Sequence, residues 1–224
     1  TNGNEEKRTR MHFNKVTITG ADDSTSIPQL VDLSQEYPFV EWGILVSRRQ
    51  EGSYRFPSRE WMDRLAAVSG RLQLSMHICG AWVRQMFVGD LDWSHVPSLI
   101  QKCQRIQINT HAVRHASTVA LLPQLDTHKD KQIIFQWDGV NNHLIYAALA
   151  HSLNVAALFD TSGGAGILPK EWPAQTSEFP CGYAGGLGPG NVVENIHKIE
   201  SICSRPYWID MERRVRTHDD SALN

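Results

Sequence analysis

Short runs of alternating apolar and polar residues recur along the chain, and most are followed by a stretch with helical spacing. In Arg71–Cys79, Leu72, Leu74, Met76 and Ile78 share one face, and Gln73, Ser75, His77 and Cys79 share the other. Lys15–Thr19 sets Val16 and Ile18 against Thr17 and Thr19, and Arg105–Asn109 sets Ile106 and Ile108 against Gln107 and Asn109. A period of two marks a strand with unlike faces. Further strands are predicted at Glu41–Ser47, Gln132–Trp137, Val155–Asp160, Cys181–Ala184 and Tyr207–Met211. Helices are predicted between them, for example at Ile27–Glu36, Ser58–Val68, Val113–Leu122, Asn142–Ser152 and Asn191–Cys203. Ser58 and Glu60 suit a helix start, although no full capping box is present.

Eight β/α units in 224 residues fit an α/β fold of the closed (β/α)8 kind, in a single domain, better than an open doubly wound sheet. The apolar strand faces should meet the surrounding helices, which turns the polar faces into the barrel. Thr19, Ser47, Cys79, Asn109, Asp138, Asp160 and Asp210 would then converge on the rim at the C-terminal ends of the strands. Such rims are where barrels of this kind carry their sites. The barrel should occupy residues 13–224, preceded by a frayed polar tail over residues 1–12.

Composition narrows the partners. A formal charge of −2 offers no electrostatic case for nucleic acid or a membrane surface. No apolar stretch approaches the roughly 20 residues that span a bilayer. Cys79, Cys103, Cys181 and Cys203 show no C-x-x-C spacing, so free thiols in a cytoplasmic chain are expected. The expected state is a monomer or homodimer acting on a phosphorylated small molecule, with no cofactor and no metal.

The densest chemical signal is a pair of glycine-rich segments, Asp160-Thr-Ser-Gly-Gly-Ala-Gly166 and Tyr183-Ala-Gly-Gly-Leu-Gly-Pro-Gly-Asn191. Each follows a predicted strand, and the second leads into the helical pattern Val192, Ile196, Ile199 and Ile202. A strand, a glycine turn and a helix start present backbone N–H groups to an anion, so Gly163, Gly164, Gly185 and Gly186 are candidate phosphate ligands.

These segments carry a resemblance. Leu158-Phe-Asp-Thr161 running into Gly163-Gly-Ala-Gly166, and Ala184-Gly-Gly-Leu187 with Pro189 and Asn191-Val192, are similar to phosphoribosylanthranilate isomerase, a TIM-barrel family of tryptophan biosynthesis. Gly52-Ser-Tyr-Arg-Phe-Pro-Ser58 looks like that family's loop after strand two, and Trp208-Ile-Asp210 like the start of its eighth strand. The resemblance implies a cofactor-free rearrangement of an aminoaldose phosphate to an aminoketose phosphate. In it, a general acid protonates the ring oxygen and a general base removes the C2′ proton. It places Asp160 as the acid, the Gly185–Gly186 turn on phosphate, and Arg55 on the substrate carboxylate. Asp138 and Asp210, candidate substrate-binding residues, are the neighbours whose charge could raise the Asp160 carboxyl.

Two segments depart from the family. Thr19, in Thr17-Ile-Thr-Gly20, stands where the family has its cysteine base, and a threonine hydroxyl is far too weak an acid to serve unassisted. Cys79, Asp22 and Asp23 are the candidate substitutes. After strand eight the family's small residues give way to Asp210-Met-Glu-Arg-Arg214, in which Glu212 would repel a phosphate while Arg213 and Arg214 could hold one. Two further functions stay open: a non-catalytic phosphate-ligand barrel, and a lyase or hydrolase using Asp138, Asp160 and Asp210. For a metal hydrolase, His77 with the three aspartates, or His111 with His115, are the only evident ligand sets, and no H-x-H or H-E-x-x-H motif supports them. Lys15, Lys131 and Lys170 fall at strand starts or in loops, which disfavours Schiff-base chemistry. Trp42, Trp61, Trp137 and Trp172 read as packing residues, and Trp82 is a candidate stacking surface for a planar substrate.

Overall fold

The computed structural model describes residues 11–223. Eight parallel strands close into a barrel in sequence order. They are β1 (Phe13–Thr19), β2 (Val40–Ser47), β3 (Leu74–Cys79), β4 (Arg105–Ile108), β5 (Gln132–Trp137), β6 (Val155–Phe159), β7 (Cys181–Tyr183) and β8 (Tyr207–Met211). The ring closes where β1 pairs with β8, Val16 opposite Ile209 and Thr17 opposite Asp210. Helices α1 (Ile27–Glu36), α2 (Arg59–Val68), α3 (Ala81–Val88), α4 (Leu121–Leu125), α5 (Asn142–Ala150) and α6 (Val192–Glu200) connect successive strands. This is the TIM-barrel architecture that the alternation predicts.

Local chemistry explains the element ends. Ser58 caps α2 by accepting from Trp61 N at 3.2 Å, and Ser26 caps α1 with a proline inside its first turn. The helix predicted over Val113–Leu122 does not form as such. A 3-10 turn at His111–Val113 is followed by α4, which begins two residues before Pro123. A proline ring collides with the carbonyl four residues earlier, so a helix can contain Pro123 only within its first turn. Between β6 and β7 the described residues contain no helix at all. That connection holds Gly163, Gly164, Gly166, Pro169 and Pro173, a composition that favours turns.

The tail predicted over residues 1–12 falls mostly outside the described residues. His12 is fastened, however: its backbone N–H donates to Glu200 Oε1 at 2.6 Å and its ring Nδ1 lies 2.8 Å from the same oxygen. The ordered domain therefore begins before β1.

The apolar strand faces pack outward against the helices, with Ile44, Met76, Ile78, Ile106, Ile108 and Phe135 all fully buried. Inside the barrel the two halves differ. Ile134, Ala156, Leu158, Ala184 and Trp208 form a separate apolar cluster on β5 to β8. Facing them are Thr17, Thr19, Glu41, Ser75, His77, Arg105 and Gln107, all buried. Glycines make room for the larger residues. A Cβ on Gly43 would lie 2.2 Å from Thr19 Oγ1, and one on Gly182 would lie 2.1 Å from the Trp208 ring.

A charged group plugs the N-terminal end of the interior. Glu41, with no exposed surface, accepts from Thr17 Oγ1 at 2.9 Å, from Arg105 Nε at 3.1 Å and from Lys15 Nζ at 3.2 Å. The Arg105 guanidinium also stacks 4.4 Å above the Trp208 ring centroid. Burial alone would raise the Glu41 carboxyl, but Arg105 and Lys15 more than offset it and hold it below its ordinary value. Glu41→Gln should destabilise the protein by about 3–5 kcal/mol, because Arg105 is left buried without its counter-charge. Urea denaturation at neutral pH measures this, and a loss below about 1 kcal/mol would show that Arg105 is solvated some other way.

Candidate active site

At the opposite end of the strands the interior opens into a cleft of about 550 Å³, its open mouth included. Its wall is made by the turns after β6 and β7, and its floor by His77, Gln107, Gln136 and Asp210. Glu212, Arg213 and Arg214 complete the rim from the segment after β8.

The β7 turn supplies the clearest feature. Gly185 and Gly186 have φ of +115° and +64°, and the turn packs onto the β6 loop so closely that a Cβ on Gly186 would lie 2.6 Å from Leu168 N. The turn is stapled to α6 from within: Asn191 Oδ1 accepts from Gly188 N, and Asn191 Nδ2 donates to Gly186 O, both at 2.9 Å. Gly185, Gly186 and Leu187 are buried, yet among the described residues nothing accepts from their three backbone N–H groups. Buried amides are almost always paired. Three in succession, lining a cleft next to the positive end of α6, are arranged for an anion. Arg213 and Arg214 flank them, exposed and outside every ion pair among the described residues.

The carboxylates divide by role. Asp160 accepts from Gln136 Nε2 at 2.8 Å, Ser162 N at 3.1 Å, Ser162 Oγ at 2.6 Å and Gly164 N at 2.6 Å. Four donors commit it to capping the glycine turn, so it lines the cleft with its oxygens already occupied. Asp138 does not reach the cleft. It is held by His111 Nδ1 at 3.2 Å and Arg114 Nη1 at 3.3 Å, so neither the three-aspartate cluster nor a pair of metal-binding histidines forms. Among the described residues no group of three His, Cys, Asp or Glu side chains could hold a metal ion.

Asp210 is different. Its Oδ1 accepts from Thr19 Oγ1 at 3.0 Å, and its Oδ2 lies 4.0 Å from His77 Nε2. Gln107 Nε2 donates to Asn109 Oδ1 at 2.9 Å and sits 3.4 Å from His77 Nδ1. That leaves Nδ1 as the acceptor and puts the ring proton on Nε2, facing Asp210. Burial pushes His77 down to about 3, so the ring is neutral and offers Asp210 no positive charge. Burial first, and Glu212 second, raise Asp210 well above the ordinary carboxylate value. Burial raises Glu212 also, but Arg55 Nη1 at 2.6 Å from its Oε1 holds the rise in check.

The other expected residues stand apart from the cleft. Thr19 lies beneath Asp210 as its hydrogen-bond donor. Burial pushes the Cys79 thiol up to about 12, and Asn109 Nδ2 donates to its sulfur at 2.9 Å, so no thiolate is available near neutral pH. Arg55 is committed to Glu212 and lies 3.1 Å from Asp220, rather than free for a ligand. Asp22 is bound by Arg216 at 2.9 Å and by Arg55 N at 2.8 Å, and Asp23 caps the start of α2 through Ser58. A Cβ on Gly163 would strike the His111 ring, so that glycine serves loop packing. Trp82 is buried on α3, away from the mouth. Gln136 was missed, although Gln132, Ile134 and Gln136 share one face of β5 and the alternation could have exposed it.

No family model matches the chain, and neither does any curated protein. Solved structures do share its fold. A phospho-2-dehydro-3-deoxyheptonate aldolase (DAHP synthase) of Thermotoga maritima superposes with a TM-score of 0.58 at 11% identity, over 95% of this chain and 65% of that one. A truncated 3-deoxy-D-arabino-heptulosonate 7-phosphate synthase of the same organism gives 0.55 at 11% identity, over 94% and 80%. The chain thus spans just under two thirds of the first neighbour's length, and at this identity the likeness carries the barrel alone.

The Asp210 environment has a consequence for stability. A carboxyl raised in the folded state favours folding most below its unfolded value of 3.8 and loses that contribution as pH rises towards its folded value. Asp210→Asn removes the titration while keeping an acceptor for Thr19. The variant should therefore gain stability over the wild type as pH is raised from 4 towards neutrality, measured by thermal or urea unfolding. A difference that is flat with pH would show Asp210 to be ionised normally.

Proposed function

We propose that the protein is a phosphoribosylanthranilate isomerase-like enzyme that carries out aldose–ketose isomerisation of a phosphorylated sugar derivative with a rearranged acid–base pair. The observation that carries this reading is the row of unpartnered amides at Gly185, Gly186 and Leu187 beside two unpaired arginines. A phosphate seated there takes backbone donors on one side and guanidinium donors on the other. It anchors the sugar over the carboxyls of β8 and the residue two beyond, Asp210 and Glu212.

Asp210, kept neutral by burial, donates its proton to the ring oxygen as the ring C–O bond breaks, which leaves an iminium at C1′. Glu212, whose charge Arg55 sustains, takes the C2′ proton, and the C–H electron pair neutralises the iminium to give an enolamine. Tautomerisation to the ketone completes the rearrangement, with both carboxyls restored by proton exchange. Two carboxyls pushed to different values by their surroundings are a recurring solution for acid and base work near neutral pH. In this assignment Thr19 positions Asp210 rather than replacing the family's cysteine, and Asp160 shapes the phosphate turn.

Turnover of freshly generated phosphoribosylanthranilate, followed by loss of its fluorescence, tests the proposal. Asp210→Asn and Glu212→Gln should each lower kcat about 10²–10⁴-fold. Arg213→Glu/Arg214→Glu should weaken substrate binding while the protein stays folded. No turnover by the wild type, with sugar phosphates still raising its melting temperature, would sink the isomerase and leave a phosphate-ligand barrel.

A further inference from the structure

A second cleft, about 800 Å³ with its open mouth, lies at the N-terminal end of the barrel. The nearest lining positions of the two clefts, Trp208 here and Asp210 at the mouth described above, are two residues apart on β8, roughly 7 Å at about 3.3 Å per residue, and their side chains lie towards opposite ends of the barrel. It is lined by Lys15, Arg105 and Arg205, and by no acidic side chain. Glu41 answers Lys15 and Arg105 from below, so three positive charges face one negative and two remain unbalanced. Arg205 takes part in no ion pair among the described residues; its Nη1 donates only to the Ser177 carbonyl.

Neutral donors surround these cations. Gln132 spends its Oε1 on Arg105 Nη1 at 3.4 Å, which leaves its NH₂ group without a partner among the described residues. Asn14 reaches the same space with no side-chain partner among them. Phe179, Pro180 and Pro206 form an apolar wall. Gln175 makes that wall rigid by bonding back to the Ser204–Pro206 turn, accepting from Arg205 N at 2.9 Å and donating to its carbonyl at 2.9 Å. Lys15 and Arg105 are fixed by Glu41, and with Arg205 at the rim, open amide donors and a stiff wall they make a surface with more structure than a solvated charge run.

We infer that this cleft binds a small dianion, a dicarboxylate or a phosphomonoester, at a site separate from the catalytic mouth. Two negative charges match the unbalanced pair, and Arg205 at the rim offers a guanidinium fork suited to either oxyanion. Arg105 joins the site to the interior, because the same side chain that borders the cleft holds Glu41 and stacks on Trp208.

Isothermal titration with malonate and, separately, with inorganic phosphate tests the site, using Arg213→Glu/Arg214→Glu as the background so that the mouth is disabled. Saturable binding of one equivalent of either anion is expected. It should weaken at least ten-fold in Arg205→Glu and again in Asn14→Asp, two exposed changes that leave the Glu41 network untouched. Binding of malonate alone would assign a carboxylate ligand, and of phosphate alone a phosphate ester. No saturable binding of either anion, or an affinity that neither rim change moves, would overturn the inference.

Discussion

The cost of burying charge inside a closed barrel organises this molecule. The strands turn Glu41, His77, Arg105 and Asp210 into an interior that water scarcely enters, and each must be paired or neutral. At the N-terminal end the answer is pairing: Glu41 stays ionised because Arg105, Lys15 and Thr17 surround it. At the C-terminal end no lysine or arginine among the described residues pairs with the floor, and burial favours the neutral forms: it pushes His77 down to about 3 and raises Asp210 well above the ordinary carboxylate value. One physical constraint thus yields a structural plug at one end and a raised carboxyl at the other.

The rim converts that acid into a site. The turn after β7 needs its glycines twice, to adopt positive φ and to let the β6 and β7 loops touch, and both requirements leave its amides facing the cleft. The segment after β8 supplies Glu212, Arg213 and Arg214 from consecutive positions. Arg55 from the β2 loop takes up Glu212, which leaves the two following arginines free. Arg216 then fastens the segment from beneath, donating to Gly20 O, Asp22 and Asp220 with no exposed side-chain surface of its own. The β1, β2 and β8 sides of the mouth are therefore one ion-paired unit, and the glycine turn after β7 is the other wall.

Much of this was legible in the residues. Alternation in β1, β3 and β4 marked both the strands and their inward faces, and the glycine runs after Asp160 and Tyr183 marked the wall of the cleft. What failed to read was pairing at long range. Nothing near Glu41 in sequence reveals Arg105 across the barrel. Likewise, nothing near Arg55 reveals that its partner is Glu212 rather than a ligand. Asp160 and Asp138 looked alike as strand-end acids. They parted only when the donors around each became visible, four on Asp160 and a histidine with an arginine on Asp138. The helix predicted over Val113–Leu122 gave way to a 3-10 turn and a short helix starting at Leu121, which keeps Pro123 within a first turn.

Burial and the neighbouring charge of Glu212 both favour the protonated form of Asp210 and raise its carboxyl well above the ordinary value. Carbon-13 NMR of the aspartate carboxyls, assigned through Asp210→Asn, would follow that titration directly. The expected result is a carboxyl that ionises well above 3.8 and moves towards that value in Glu212→Gln. An Asp210 already ionised at pH 5, or one indifferent to Glu212→Gln, would contradict it.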